Sequence, residues 1–443
     1  MRSLTGILFL AAAMLPAADA PASYFRQVRP ILQRNCQGCH QPAVKQGNLD
    51  LTTYDGFKVG GKHGPGPSVI VSYLEGKSQP RMPLGLDPLA AADVDLVRRW
   101  IASGAADDTP PEARETLAAG KPPVYHLPPV ITGLAWSPDG QTLAVPGYRE
   151  VLLHHADGSG LVARLVGVSD RIQSVVFSAD GSLLVAAGGT PARFGEVQVW
   201  DVATRKLRNS TMVSSDTVFG ASLSPDASRI AVGCADNTVR LLDAASGKEL
   251  LKMGHHENWV LGTAFGLDGK RLVSVSRDRA AKLTDAASGA FIENVNLLRD
   301  ELTAVARHPR RDWVAIGGQD RVPYLYMMDR PKAMKIADDT TLVRKFEAQP
   351  GTIFALAFNA DGSRLAVAGA SPEVTIYNTE TGDRAAACRG HQAGIYALAF
   401  RPDGAEVAAA GFDGRVRIYD PSTGKLLRDF IPVPLEKQLV SQK

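Results

Sequence analysis

Cys36 and Cys39 stand three apart in the stretch RNCQGCHQP, and His40 follows the second directly. Three kinds of chemistry use such a set. A structural zinc site needs four ligands, commonly from two such knuckles, but the surrounding hundred residues offer no further cysteine and only His63 as a spare. A disulfide-exchanging dithiol lies between a strand and a helix of an α/β fold, whereas here a helical pattern precedes and a turn follows. Covalent attachment of a c-type haem needs two thiols spaced for two vinyl groups and a histidine placed to bind iron, and CxxCH supplies all three. The spacing predicts one haem c, held by Cys36 and Cys39 with His40 as an axial ligand to the iron.

Elimination narrows the opposite axial ligand. Between residues 21 and 121 the single methionine is Met82, in the loop QPRMPLGL. Flanking prolines fix the backbone there, and a soft thioether favours reduced iron and so raises the potential. His63, in GGKHGPGP, is the rival, and an open position is the third possibility.

The elements that must carry these residues are helical over 21–105. YFRQVRPILQRN sets Phe25, Val28, Ile31 and Leu32 at helical spacing, with Pro30 either starting the helix or kinking it. DPLAAADVDLVRRWIASG has an apolar stripe of Val94, Val97, Trp100 and Ile101, a cap at Asp87 with Pro88 in the first turn, and a stop at Gly104. The Gly/Pro-rich middle, KVGGKHGPGPSVI, is expected to be irregular. Residues 106–128 contain five prolines and read as a linker.

Ahead of the helical unit, residues 1–20 read as a secretory signal: Arg2, an apolar core over 4–15, and Ala18-Asp19-Ala20 as a cleavage site. The expected location is the periplasm or another exported compartment, with no membrane span in the mature chain. Export also suits covalent haem attachment. Cys234 and Cys388 lie in strand-like runs and read as buried free thiols. A net charge of +3 over 443 residues, with no run of five like charges, argues against nucleic-acid or polybasic membrane partners.

From residue 129 to 431 the texture repeats. LAWSPDGQTLAV, VVFSADGSLLVA, ASLSPDASRIAV, TAFGLDGKRLVS, VARHPRRDWVAI, LAFNADGSRLAV and LAFRPDGAEVAA each join two strand-like runs through a polar turn. Residues just before the turns fall 41, 46, 42, 42, 51 and 42 apart, giving seven units with four expected strands apiece. Radial repetition of four-stranded units is a propeller. A tail of 432–443 follows.

These units resemble the WD-repeat family. Trp200-Asp201 keeps the namesake dipeptide, Tyr419-Asp420 a weaker form, and Gly254-His255 and Gly390-His391 the Gly-His opening. The resemblance implies that each histidine joins a hydrogen-bond network with the aspartate 23 or 22 residues on, Asp278 or Asp413. Residues 28–105 resemble a planctomycete-type cytochrome c domain through Val28 to Leu32, Cys36 to His40, Met82-Pro83 and Trp100 to Ala105. That resemblance implies thioethers at Cys36 and Cys39, His40 and Met82 on iron, and Trp100 packed near the porphyrin. The expected fold is thus a small, mostly-α cytochrome c domain followed by an all-β seven-bladed WD-repeat propeller.

No GxSxG, HExxH or Walker loop stands in the propeller. The pairs His154-His155 and His255-His256 are poor metal sites, because neighbours on a strand point to opposite faces. Two function classes remain. One is an electron-transfer protein whose propeller docks a redox partner. The other is an oxidoreductase whose propeller oxidises a small substrate and passes electrons to the tethered haem.

Overall fold

A computed structural model describes residues 22–37, 39–40, 46–84, 87–110, 121–328 and 339–436. The expected signal peptide, residues 111–120 of the linker and residues 437–443 of the tail lie outside them. No helix among the described residues is long and apolar enough to cross a membrane. The chain divides into a helical unit and a β unit.

The helical unit has four α-helices: α1 (Arg29–Asn35), α2 (Tyr54–Val59), α3 (Gly66–Leu74) and α4 (Ala91–Ala102). A π-turn, Tyr24–Val28, leads into α1, and Pro30 sits in the first turn of α1, where its missing N–H has no helical partner to lose. Tyr24, Val28, Ile31 and Leu32 are the buried residues of this segment, so Tyr24 takes the core position expected of Phe25. The Gly/Pro-rich middle holds α3. Pro67 falls in its first turn, and Gly66 lets the helix start pass so close to Phe57 that a Cβ would lie 2.4 Å from that residue's carbonyl oxygen. At the start of α4 the expected cap is displaced: the helix begins at Ala91 after Ala90 with no side-chain cap, leaving Asp87 outside. Val94, Val97 and Trp100 are buried as expected, while Ile101, expected in the same stripe, is half-buried.

The segment after α4 belongs to this unit rather than to a free linker. Ala105 accepts from the Tyr54 hydroxyl (2.8 Å), Ala106 from Trp100 Nε1 (2.9 Å), and Asp108 Oδ1 from the Phe25 amide (2.8 Å).

The β unit is a seven-bladed propeller. Seven four-stranded antiparallel sheets span 135–166, 171–214, 218–253, 260–294, 302–345, 353–388 and 395–430, each built from four consecutive strands. The two irregular repeat spacings have local causes. In blade 2 the second and third strands, Leu183–Thr190 and Phe194–Asp201, are eight residues each. In blade 5 the link from Tyr324–Met327 to Leu342–Lys345 is long, and 329–338 within it lie outside the described residues. The turns that close the first two strands use an aspartate as a side-chain turn. Asp180 Oδ1, for example, accepts from the Ser182 amide (3.0 Å), and the left-handed position falls to Gly181 (φ 73°).

The internal networks correct one expectation. In blade 4 it is His256, not His255, that bonds Asp278, with Nδ1 2.8 Å from Oδ2 and Nε2 2.8 Å from Ser274 Oγ. His255 turns instead to the Gly289 carbonyl and lies against Phe291. Blade 7 departs further: Arg417 donates to His391 Nδ1 (3.0 Å) and to Asp413 (2.5 Å). Alignment of the second strands sets Ala409 where blade 4 has Ser274, and the buried His391 Nε2 is left without a partner.

Burial and the Arg417 guanidinium hold His391 down to about 4. Because the folded value lies below the unfolded one of about 6.5, the unfolded chain binds more protons between the two. Stability is therefore full above pH 6.5 and falls as pH drops towards 4, by about 3 kcal/mol from this residue. His391→Gln is expected to flatten that part of the pH–stability curve, read from urea midpoints at pH 7 and pH 4.5. An unchanged slope would refute the assignment.

Ring closure uses blade on blade packing. Trp136 Nε1 donates to the Ala399 carbonyl (3.2 Å) and the Ile131 amide to the Gly411 carbonyl (3.0 Å), joining blade 1 to blade 7. Neither end donates a strand to the other's sheet; the run KLLRDF supplies the outer strand of blade 7 itself. The segments expected as linker and tail meet, since Tyr125 pairs in parallel with Leu435. Tyr125 also donates its hydroxyl to Glu150 Oε1 (2.8 Å), a carboxylate that Arg164 grips at both oxygens (2.7 Å each).

Candidate functional site

Between the end of α1 and His40 the chain keeps turning. Amides of Cys36 and Gln37 donate to the Leu32 carbonyl, and those of Cys39 and His40 to the Cys36 carbonyl (3.2 and 3.1 Å). Cys36 and Cys39 are free thiols, the first half-buried and the second exposed. Burial, aided by Cys39 alongside, pushes the Cys36 thiol up to about 12, which is no property of a disulfide-exchanging thiolate. Among the described residues no group of three or more His, Cys, Asp and Glu is placed to hold a metal ion, so a zinc knuckle has no partners there.

His40 is fixed on several sides. Its carbonyl accepts from the Leu51 amide (2.8 Å), and its Nδ1 lies 2.9 Å from the Gln46 carbonyl oxygen. A carbonyl can only accept, so Nδ1 carries the proton and Nε2 presents a lone pair. Among the described residues nothing hydrogen-bonds Nε2. Burial holds the imidazole below its ordinary value against the opposing pull of the Gln46 carbonyl, which keeps the ring neutral near pH 7. This is the second-shell arrangement that orients a metal-binding imidazole.

The Gln46 carbonyl is positioned by a neighbouring loop. Lys62 donates its amide to the Gly47 carbonyl (2.7 Å), and a Cβ on Gly61 would lie 2.4 Å from that same oxygen. Gln37, 2% exposed between the cysteines, donates Nε2 to the Leu51 carbonyl (2.7 Å) and ties the motif to the same strip of chain. Gly61→Ala is expected to push the 46–48 turn aside and destabilise the helical unit by about 1–3 kcal/mol. A far-UV thermal melt unchanged from the parent protein would contradict it.

Met82 and Cys36 both pack at the margin of the helical core. The Met82 amide donates to the Tyr73 carbonyl at the end of α3 (3.0 Å), and Pro83 beside it is buried, so the thioether stands on a pinned loop. His63, the rival ligand, rests its ring against Tyr73, 5.5 Å between centroids. Trp100 is 1% exposed and packs against Tyr24 and Phe57, each 5.3 Å away, so its burial is accounted for within the aromatic core. Sequence reasoning missed Gln37, Gln46, Gly47 and Gly61. Main-chain acceptors and close backbone approaches leave no side-chain pattern to read.

The propeller offers a second feature. Its seven innermost strands surround a cavity of about 420 Å³, lined by three residues from each blade. In six blades the inner strand carries a one-residue bulge near its start. The residues left over by the bulges are Gln173, Phe219, Leu261, Thr303, Phe354 and Tyr396, and all six line the cavity. A bulge re-aims its extra side chain, here towards the axis.

At the same end the loops entering each inner strand and the turns between second and third strands carry exposed apolar side chains. Among them are Tyr148, Trp259, Leu297, Leu298 and Phe412, whereas the opposite turns expose Leu267. The His256–Asp278 and His391–Arg417–Asp413 networks lie beneath this face and hold its loops.

A family model for the WD domain, G-beta repeat, matches residues 206–243, 247–285 and 382–420. Three stretches of the propeller thus match the WD40 repeat. Each matched stretch begins with the outer strand of one blade and ends with the third strand of the next, so the WD40 repeat ties neighbouring blades covalently. Among curated proteins the chain is similar to the COMPASS component SWD3 of Saccharomyces cerevisiae, 26% identical over 28% of this chain. It is also similar to Superkiller complex protein 8 of Dictyostelium discoideum, 33% over 18%, and to the WD repeat and SOCS box-containing protein 1 of Danio rerio, 34% over 19%. The chain spans 39%, 26% and 19% of the lengths of these relatives.

Proposed function

We propose that the helical unit carries one covalent haem c, and that the exported protein transfers single electrons while its propeller docks a protein partner. The observation that carries the reading is the Nδ1 bond from His40 to the Gln46 carbonyl. It leaves the Nε2 lone pair free to bind a metal on the residue that directly follows two free thiols at CxxC spacing. When bound, the haem would supply reversible one-electron chemistry. Cys36 and Cys39 would hold it by thioethers, and His40 Nε2 and the Met82 thioether would ligate its iron, the thioether stabilising the reduced state.

For the propeller, docking is favoured over substrate oxidation. None of the described residues lining the axial cavity is Asp, Glu, His, Lys, Arg or Cys, so they offer no strong base or nucleophile for oxidising a small donor. Two of the similar proteins are named as parts of complexes, which fits a partner-docking role. The test is production in a host competent for covalent haem attachment. The expected product is red, with a polypeptide mass raised by one haem, a low-spin spectrum and reduction by a protein donor. A colourless chain of unmodified mass sinks the haem. Turnover of a small donor would favour the oxidoreductase reading.

A further inference from the structure

The mouth of the axial cavity has a chemistry of its own. Phe219 stacks on Trp259 at 5.4 Å and 28°, and Phe354 lies 5.2 Å from Tyr396 at 31°. The first pair belongs to blades 3 and 4 and the second to blades 6 and 7, so in a ring of seven they face each other across the axis. Between them the bulged residues of blades 2 and 5 are polar, Gln173 and Thr303, and Thr132 stands beside blade 2. The Tyr396 hydroxyl and the Gln173 amide have no hydrogen-bond partner among the described residues. Aromatic pairs on two sides and polar groups between them offer a guest both ring contacts and hydrogen bonds.

Charge sets a second condition. Among the described residues no charged side chain lines the cavity. Arg277, which lies over the Trp259 ring (5.2 Å), is already paired with Glu301 (2.8 Å). A cationic or anionic guest would leave its hydration without compensation. The third condition is extent. Beyond the cavity the apolar surface continues through Trp259, 40% exposed, and Phe412, 61% exposed, whose amide bonds the Gly394 carbonyl just ahead of Tyr396. A free small molecule would use the cavity and leave that rim bare, whereas a polypeptide covers both.

We propose that the mouth receives one uncharged aromatic side chain with a polar edge, a tyrosine or tryptophan, presented by a loop of the docking partner. This deepens the docking reading and rests on it. The aromatic ring lies between the Phe219–Trp259 and Phe354–Tyr396 pairs, and its hydroxyl or indole N–H meets the free groups of Gln173 and Tyr396. Buried aromatic anchors of this kind carry much of the binding energy of protein interfaces.

The experiment uses the full chain labelled with 5-fluorotryptophan, with the Trp259 ¹⁹F resonance identified by its loss in Trp259→Phe. N-acetyl-tyrosinamide, N-acetyl-tryptophanamide, N-acetyl-leucinamide and N-acetyl-argininamide are titrated in turn. The expected result is a saturable shift of that resonance with the first two alone, weakened at least tenfold by Gln173→Ala. Tyr396→Phe, which keeps the packing on Phe354, weakens it for the same probes, and Leu427→Ser on the outer strand of blade 7 leaves it unchanged. A matching melting temperature establishes that each variant is folded. No saturation with the aromatic amides, or equal response to the arginine or leucine amide, overturns the proposal. The docking reading is tested apart from it: Phe412→Asp, outside the cavity, is expected to slow reduction by a protein donor at least tenfold. Slowing without probe binding sinks the aromatic guest and keeps the docking face. No slowing removes the docking reading and this proposal with it.

Discussion

Serine at both Cys36 and Cys39 is expected to leave the chain with no covalent haem, whereas serine at Cys234 or Cys388 leaves attachment complete. The contrast follows from placement. Cys39 is exposed and Cys36 half-buried at the end of α1, where a group can reach both sulfurs. Cys234 and Cys388 are fully buried within blades 3 and 6, where a group outside the sheets cannot reach their sulfurs. Either single serine at Cys36 or Cys39 keeps one thioether and hence the mass increment. Intact mass and the spectrum of denatured protein read the outcome. Haem that survives denaturation in the double variant would mean that other atoms hold it.

Arg164→Leu is expected to cost the propeller about 3–5 kcal/mol, the largest loss from any single polar substitution considered. Glu150 is fully buried, and both its oxygens are taken by Arg164, with the Tyr125 hydroxyl on one of them. Removing the guanidinium strands a carboxylate where water cannot reach it. Tyr125→Phe removes one neutral donor to the same group and is expected to cost about 1–3 kcal/mol, since a hydrogen bond to a charged group is lost. Because all three residues share one carboxylate, the two substitutions together should cost less than their sum. Urea midpoints for the four proteins measure this. A loss under 1 kcal/mol for Arg164→Leu would show that the latch between Tyr125 and Leu435 holds without the ion pair.

The repeats were legible because apolar strand runs joined by a polar turn recur at a nearly fixed interval along the chain. Seven such patterns near 43 residues apart leave few architectures that protect their sheet edges. The stripe Val94, Val97, Trp100 was legible for the matching reason at helical period. Local punctuation was read less well. Glycine and proline over 60–67 suggested an irregular stretch, yet Pro65 and Pro67 start α3, because a proline in a first turn loses no hydrogen bond. Asp87 looked like a cap and lies before the helix.

Read alone, the chain showed the CxxCH spacing on which the haem proposal rests, and the repeat number, since periodicity is local. Which of two adjacent histidines meets Asp278, which carbonyl orients His40 and which side chains the bulges aim at the axis were decided by folding. So was the meeting of Tyr125 with Leu435. Those contacts join residues distant in sequence through main-chain atoms and turn geometry, which carry no side-chain signature. Their partners are fixed only when blades and loops pack at van der Waals distance.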